Sequence, residues 1–533
     1  MKYKKLTGPP PTINIADPPR HLQEAFRTVF TKDAVEFVMQ IVTVFEDRIE
    51  ELQWKRLSKK LEFYLKGKLP SFPQSIARSD TSWKIRPLPE RLRNRHLDLG
   101  DVSPANTNQF VQALNADVQG VQVDFDDGHC PTWHNQIVGL YNVYQAVHGE
   151  LYGIGSIQNL PILMFRPRAW NMLEHNIIIN GKTAPGPLID FGIFMYHNAK
   201  ILTDLGCGPF FYLSKLESAS EAKLWNNIFV WTQQRLQLPV GTIKACVLIE
   251  NIFAAFEMDE ILYELKDHSL GLNCGIWDYT ASIICKFGNN PNYIFPDRNK
   301  FVNIERQFLK KYMQLVIETC RARGAPATGG MSALLVPSQC SPDRINKVVE
   351  SKKQEILTGF DGFLVYDVKL VIHINNLWSD LSQSEIKPIS GGNVTPDDLL
   401  QIPSGGVTLE GLKHNVEVGV LYIYNWLNGN GHFFHKGAVE DSATAEISRL
   451  QVWQCIRHQV LINESKTVVS KELLQNIIDE VIQTQRNNLL NIAIDLFIEI
   501  VTTKYLPDFI TTYLNDHYIF KQIQTYNIVK HKL

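Results

Sequence analysis

An α/β fold, a closed (β/α)8 TIM barrel with helical regions on either side, is what this sequence predicts. Three observations point to it. Eight short apolar or alternating runs recur through the middle of the chain, separated by helical patterns, and strands alternating with helices build parallel sheets or barrels. Several of these runs end in charged residues, and the C-terminal ends of barrel strands converge on one mouth. The stretches before and after carry apolar residues at helical period instead.

The first element is a helix. "DAVEFVMQIVTVFEDRIEEL" opens on Asp33, a good N-cap residue, and Val35, Val38, Ile41, Val42, Phe45 and Ile49 recur at helical spacing. A proline-bearing connector follows, "LPSFPQSIARSDTSWKIRPLPE". The strand candidates are then "HLDLG", "GVQVDFDD", "ILMFRPR", "FFYLSKLE", "KACVLIEN", "GLNCGIWD", "TGGMSAL" and "GFLVYD". From about Thr395 the pattern is helical again, in "DDLLQI", "HNVEVGVLYIYNWLNG", "SATAEISRLQVWQCIRHQVL" and one long run, "SKELLQNIIDEVIQTQRNNLLNIAIDLFIEIVT". The expected division is 1–92, 93–380 and 381–533.

Composition narrows the function. The 533 residues are 44% hydrophobic and 20% charged, and the net charge of −2 offers no basic field for nucleic acid or an anionic membrane. No apolar run reaches a membrane span. The eight scattered cysteines form no CxxC pair, which fits reduced thiols better than disulfides or a zinc site. The last residues, "HKL", loosely resemble an SKL-type peroxisomal address with His531 at a position that is usually small. A peroxisomal or glyoxysomal location and a cytoplasmic one are both compatible with it.

Several motifs fail. "NGKTAPG" lacks the glycine that a phosphate loop needs five residues before Gly181, where Asn176 stands. The glycines of "GELYGIGSIQ" miss the dinucleotide fingerprint and read as a loop. His432 and His435 could share a metal, but they sit in a glycine-rich stretch with no third ligand near in sequence. Cys207 and Cys274 have no neighbouring histidine base.

What remains is acidic. Glu250 and Asp278 end adjacent strand candidates, so two carboxylates can meet over one hard cation, for which Mg2+ fits best. Asp124 and Asp126 alternate on their strand and can both face the mouth to bind metal-held waters; Arg166 stands across it. Late in the chain Glu440 and Asp441 open a helix, where either can serve as a cap or as a base delivered from outside the barrel.

"GTIKACVLIENIFAAFEMDEILYELKDHSLGLNCGIWDY" and "NGNGHFFHKGAVEDSATAEISR" resemble the malate synthases of the shorter type found in bacteria, plants and fungi. "FRPRAW", "DFGIFMYHNAKI", "GPFFYLSKLES", "SWKIRPLP", "LNADVQGVQVDFDD" and "ARGAPATGGMSA" fit the same family, from about Ala34 to the C-terminal helices. The resemblance implies a barrel with an N-terminal helical clasp and a C-terminal helical plug. It implies Mg2+-dependent condensation of acetyl-CoA with glyoxylate, then thioester hydrolysis to malate and CoA. Carried over, Glu250 and Asp278 are the metal carboxylates, Arg166 is the active-site arginine and Asp441 the catalytic aspartate. Backbone groups of Gly275, Ile276 and Trp277 contact glyoxylate, and Asp124, Asp126 and Glu440 support the site. The chain departs from the family where "DGFLVYDVK" puts Asp367, Val368 and Lys369 in place of His-Pro-Gly, near the acetyl-CoA tail, and where Ile276 replaces an arginine. Two alternatives stay open: a related CoA-dependent carbon–carbon bond enzyme using another 2-oxo acid, and a silent CoA- or metal-binding protein. Oligomeric state is not legible.

Overall fold

The computed structural model describes residues 11–336, 342–381, 386, 392–482 and 487–530, with side chains to 524. Its centre is a closed barrel of eight strands: β1 (Leu97–Val102), β2 (Gly120–Asp124), β3 (Ile162–Arg166), β4 (Phe210–Leu213), β5 (Lys244–Ile249), β6 (Ser269–Cys274), β7 (Ala327–Ser332) and β8 (Gly362–Val365). Every neighbouring pair is parallel and follows chain order, with β8 closing on β1. All eight predicted runs are strands.

Alternation along each strand sorts side chains inward and outward. Met164, Tyr212, Cys246, Leu248, Leu270 and Leu364 fill the barrel, while Leu163, Phe165, Phe211 and Val247 belong to the larger core under the helices. Gly271 in β6 has φ +89°, and a Cβ there would meet the Pro326 carbonyl oxygen at 1.9 Å, so only glycine lets β6 lie this close to β7.

The N-terminal helix α1 (Lys32–Lys66) starts two residues earlier than expected. Thr31 is its N-cap, accepting from the Ala34 N–H at 3.3 Å; Asp33 lies inside the first turn. The reason is that Thr31 takes the extended backbone a cap needs, while Asp33 still complements the helix dipole. Val38, Ile41, Val42 and Phe45 of α1 join the core outside the barrel. Farther along, Arg56 donates to Glu221 at 2.8 and 2.6 Å and to the Lys215 carbonyl at 2.8 Å.

After the barrel, α3 (Leu409–Leu427), α4 (Ser442–Arg457), α5 (Lys471–Val481) and α6 (Asn488–Thr502) surround a second apolar core, with Val416, Ile423, Val452, Ile477 and Phe497 at its centre. Another helix, α2 (Ile276–Phe287), follows β6 and packs on α4. The run read as one long helix is two, because Asn487 caps α6 by accepting from the Leu490 N–H at 2.8 Å. Residues 483–486 lie outside the described ones. "HFFHKGAVE", read as part of a loop, is a hairpin of β9 (Phe433–His435) and β10 (Ala438–Glu440). Lys436 and Gly437 take φ of +47° and +79° at its turn, as a tight hairpin requires. The hairpin is pinned to the barrel by Leu335 N–H to Gly437 O at 3.0 Å and Val439 N–H to Ala333 O at 2.9 Å.

Candidate active site

Arg166, the last residue of β3, is buried and spends four N–H bonds on carboxylates. Nε and Nη2 donate to Asp124 at 2.7 and 2.6 Å, Nη1 to Asp127 at 2.8 Å, and Nη2 also to Asp101 at 2.8 Å. A guanidinium has five such groups, so one is left for an incoming oxygen. Asp124 is held from below by the N–H groups of Asp126 and Gly128 at 2.7 and 2.6 Å. Its place is therefore beneath the arginine. Asp126 faces Lys215, whose Nζ donates to it at 2.7 Å and to Asp127 at 2.5 Å.

The carboxylates that converge are Asp127, Glu250 and Asp278, whose nearest oxygens lie within 4.8 Å of one another. Glu250 and Asp278 were predicted to meet; Asp127 was not. Strand geometry ends at Asp124, so the alternation used to place Asp126 no longer holds beyond it. Asp127 reaches the cluster from the turn that follows. Asp278 likewise lies in the first turn of α2, not at a strand end, and the mouth is reached because α2 starts directly after β6.

Electrostatics sets these acids apart. Burial works against ionising Asp127, but Lys215 and Arg166 outweigh it and hold its carboxyl well below the usual range. Burial pushes Glu250 up to about 7, opposed by Lys215 and reinforced by Asp127. Burial raises Asp278 too, with Lys215 opposing and Glu250 adding to it.

Asp441 is the N-cap of α4. Its Oδ1 accepts from the Thr444 N–H at 3.0 Å and its own N–H donates to Thr444 Oγ1 at 3.0 Å. Burial and the negative Asp127 raise its pKa. Asp101, which sequence reasoning missed, lies close enough to feel its charge: burial and the negative Asp441 both raise the Asp101 carboxyl. Asp101 sits at φ +53°, a left-handed position unusual for an aspartate inside a strand. Asp-Gly-like turn chemistry is the usual signal for such a residue, and "LDLGDV" lacks it. Ser442, next in the chain, donates to Asp127 and ties the two halves of the site. Glu440 points away from the carboxylate cluster, 3.7 Å from Arg298 Nη2. Arg298 in turn stacks over Trp277 at 5.4 Å.

Asp127, Arg166, Glu250, Gly275, Ile276, Trp277, Asp278 and Asp441 line one cavity of about 130 Å³. A second cavity, of about 1150 Å³, has Gly128, Tyr366, Asp367, Lys369 and His432 among its walls, Gly128 being next in the chain to Asp127 of the first. The Asp367 that departs from the expected His-Pro-Gly caps a short helix, accepting from Lys369 N–H at 2.9 Å and from Val336 N–H at 2.7 Å.

Hard oxygen donors gathered at the C-terminal mouth of a β/α barrel define a class: a barrel enzyme whose centre suits a divalent cation. Comparison with known sequences narrows it. "Malate synthase, TIM barrel domain" matches residues 162–402 and "Malate synthase, C-terminal" residues 406–518. A malate synthase of Dictyostelium discoideum is 35% identical over 515 residues, covering 91% of this chain and 94% of its own. Malate synthase A of Escherichia coli is 36% identical over 513 residues, 92% of this chain and 95% of the relative. A glyoxysomal malate synthase of Glycine max is 37% identical over 480 residues, 85% and 84% of the two chains. The chain belongs to the malate synthase family of enzymes.

Among the described residues no helix is long and apolar enough to cross a membrane. The terminal "HKL" lies outside the described residues.

Proposed function

We propose that this protein condenses acetyl-CoA with glyoxylate and hydrolyses the product thioester to malate and CoA, using Mg2+ held by Asp127, Glu250 and Asp278. One observation carries the reading: Arg166, Asp441 and the three carboxylates line a single cavity, although Asp441 comes from the helical region that follows the barrel. The donor set fits magnesium, being all carboxylate oxygen with no thiol or imidazole in the cluster. When bound there, Mg2+ supplies Lewis-acid polarisation of the glyoxylate carbonyl.

The chain's own groups do the rest. The N–H groups of Ile276 and Trp277, in the first turn of α2, have no partner within the helix and suit the glyoxylate carboxylate. Asp441 takes a proton from the acetyl methyl group. Its raised pKa suits this work, because a base closer to neutrality has more driving force for the proton. The one unspent N–H of Arg166 stabilises the enolate oxygen. The enolate carbon then bonds to the aldehyde carbon, and water cleaves the thioester. Glu440 acts through Arg298 to hold Trp277, as a positioning residue. The larger cavity accommodates the CoA tail, with Lys369 on its wall.

The test is CoA-thiol release, expected only with acetyl-CoA, glyoxylate and Mg2+ together. Release that ignores glyoxylate, or none at all with saturating substrates, overturns the reading. Another 2-oxo acid in a substrate panel separates the related-enzyme alternative.

Two further results are expected. A cation binds carboxylates in their ionised form, so protons compete with it wherever a ligand's pKa is raised. With Glu250 at about 7 and Asp278 raised as well, apparent Mg2+ affinity should fall as the pH drops through 7. It should weaken by up to about tenfold per pH unit for each ligand protonated, as measured by calorimetric titration between pH 6 and 8. Lys369→Glu places a negative charge on the large cavity's wall. KM for acetyl-CoA should rise about three- to tenfold while kcat and KM for glyoxylate stay near wild type, since only ground-state binding is touched.

A further inference from the structure

His432 and His435 stood out in the sequence as a pair without a third ligand. The fold separates them. His432 hydrogen-bonds Tyr366 and the Gly128 carbonyl, whereas His435 turns the other way, toward α3. There His414 and Glu417, three residues apart and so on one helical face, come to meet it. One ligand atom from each of the three lies within 4.8 Å of the others.

The three groups suit a metal in several independent respects. His435 Nε2 is buried without a hydrogen-bond partner, 3.2 Å from Glu417 Oε2. The two imidazole rings are 5.8 Å apart. Two imidazoles and a carboxylate are a zinc-type donor set, unlike the all-carboxylate cluster at the barrel mouth. Ligands about 2 Å from a tetrahedral ion sit about 3.4 Å from each other, within a small side-chain rotation of the distances here. His414 and Glu417 also line a cavity of about 450 Å³, together with Asn299, Lys413 and Lys436, while His435 lies outside it.

Two cations compete for these ligands, and both have somewhere else to go. Lys436 Nζ donates to Glu417 at 2.6 Å but is 61% exposed and can turn to solvent. Arg298 Nη2 donates to His414 Nε2 at 3.2 Å; its Nε bonds Asn415 at 2.9 Å, and Glu440 lies 3.7 Å from its Nη2.

We propose that His414, Glu417 and His435 form a second metal site, of zinc type, that fastens the β9–β10 hairpin to α3 directly ahead of Glu440 and Asp441. Its occupancy would release Arg298 from His414 toward Glu440. This inference does not depend on the reaction assigned above.

Co2+ is the probe, in full-length protein. Wild type should bind one equivalent with the intense visible d–d bands of a low-coordinate nitrogen–oxygen site, and Zn2+ should abolish them by displacement. The bands should persist in Asp278→Asn, which alters only the barrel cluster, and vanish in His435→Ala and Glu417→Gln. Circular dichroism checks the fold of each variant. If neither folds, anomalous scattering at the zinc edge from soaked wild-type crystals decides, because it places the ion directly. Absence of the bands, their survival in either folded ligand variant, their loss in Asp278→Asn, or no anomalous peak between the three side chains overturns the proposal.

Discussion

Asp441→Asn should lower kcat by about 10²–10⁴-fold, the usual contribution of a positioned base, while leaving the fold intact. The two effects separate because Asp441 caps a helix in the structure and is the base in the proposed reaction. As N-cap it accepts from the Thr444 N–H, and asparagine caps a helix about as well as aspartate. As a base it must carry a free electron pair that can take a proton, and an amide cannot. The melting temperature should therefore stay within a few degrees of wild type, and Mg2+ should still bind, since Asp441 is outside the carboxylate cluster. Steady-state CoA-thiol release, with a melting curve alongside, measures both. A variant with near wild-type kcat would remove Asp441 from the chemistry and leave it a cap.

The second large effect belongs to Arg166. Its side chain answers Asp101, Asp124 and Asp127 at once. Arg166→Gln leaves the buried Asp101 and Asp124 without their cation and Asp127 with Lys215 alone. Breaking one buried pair by removing a partner costs about 3–5 kcal/mol, so urea unfolding should shift by at least that amount at neutral pH. Turnover should vanish as well, because the enolate oxygen loses its donor. Arg166→Lys keeps the charge but not the fork; it should recover part of the stability and little of the turnover. Full activity in Arg166→Lys would show that charge alone is needed there.

Much of this was legible in the sequence because barrels advertise themselves. Each strand is short, apolar and followed by a helical rhythm, and all eight were found at their places. The helical stretches before and after the barrel were found too, with errors at their ends. Thr31 rather than Asp33 starts α1, since capping depends on backbone shape as well as residue type. The site was legible at Glu250 and Asp278, which regular elements deliver. It was not legible at Asp127 or Asp101. Both depend on backbone that has left ideal strand geometry, and no period predicts where a turn aims its side chain. The His414–Glu417–His435 grouping escaped for another reason: it needs a helix and a hairpin brought side by side, which spacing along the chain cannot reveal.

The hydrogen bond from Arg56 to the Lys215 carbonyl has a wider implication. Lys215 takes φ +54° and grips both Asp126 and Asp127. A residue on the N-terminal helix thus braces, through one peptide unit, the lysine that neutralises Asp126 and Asp127 at the barrel mouth. Shortening that helix would loosen the reaction chamber without touching a single group that meets substrate. Natural or engineered relatives that shed it would need a replacement strut at this carbonyl.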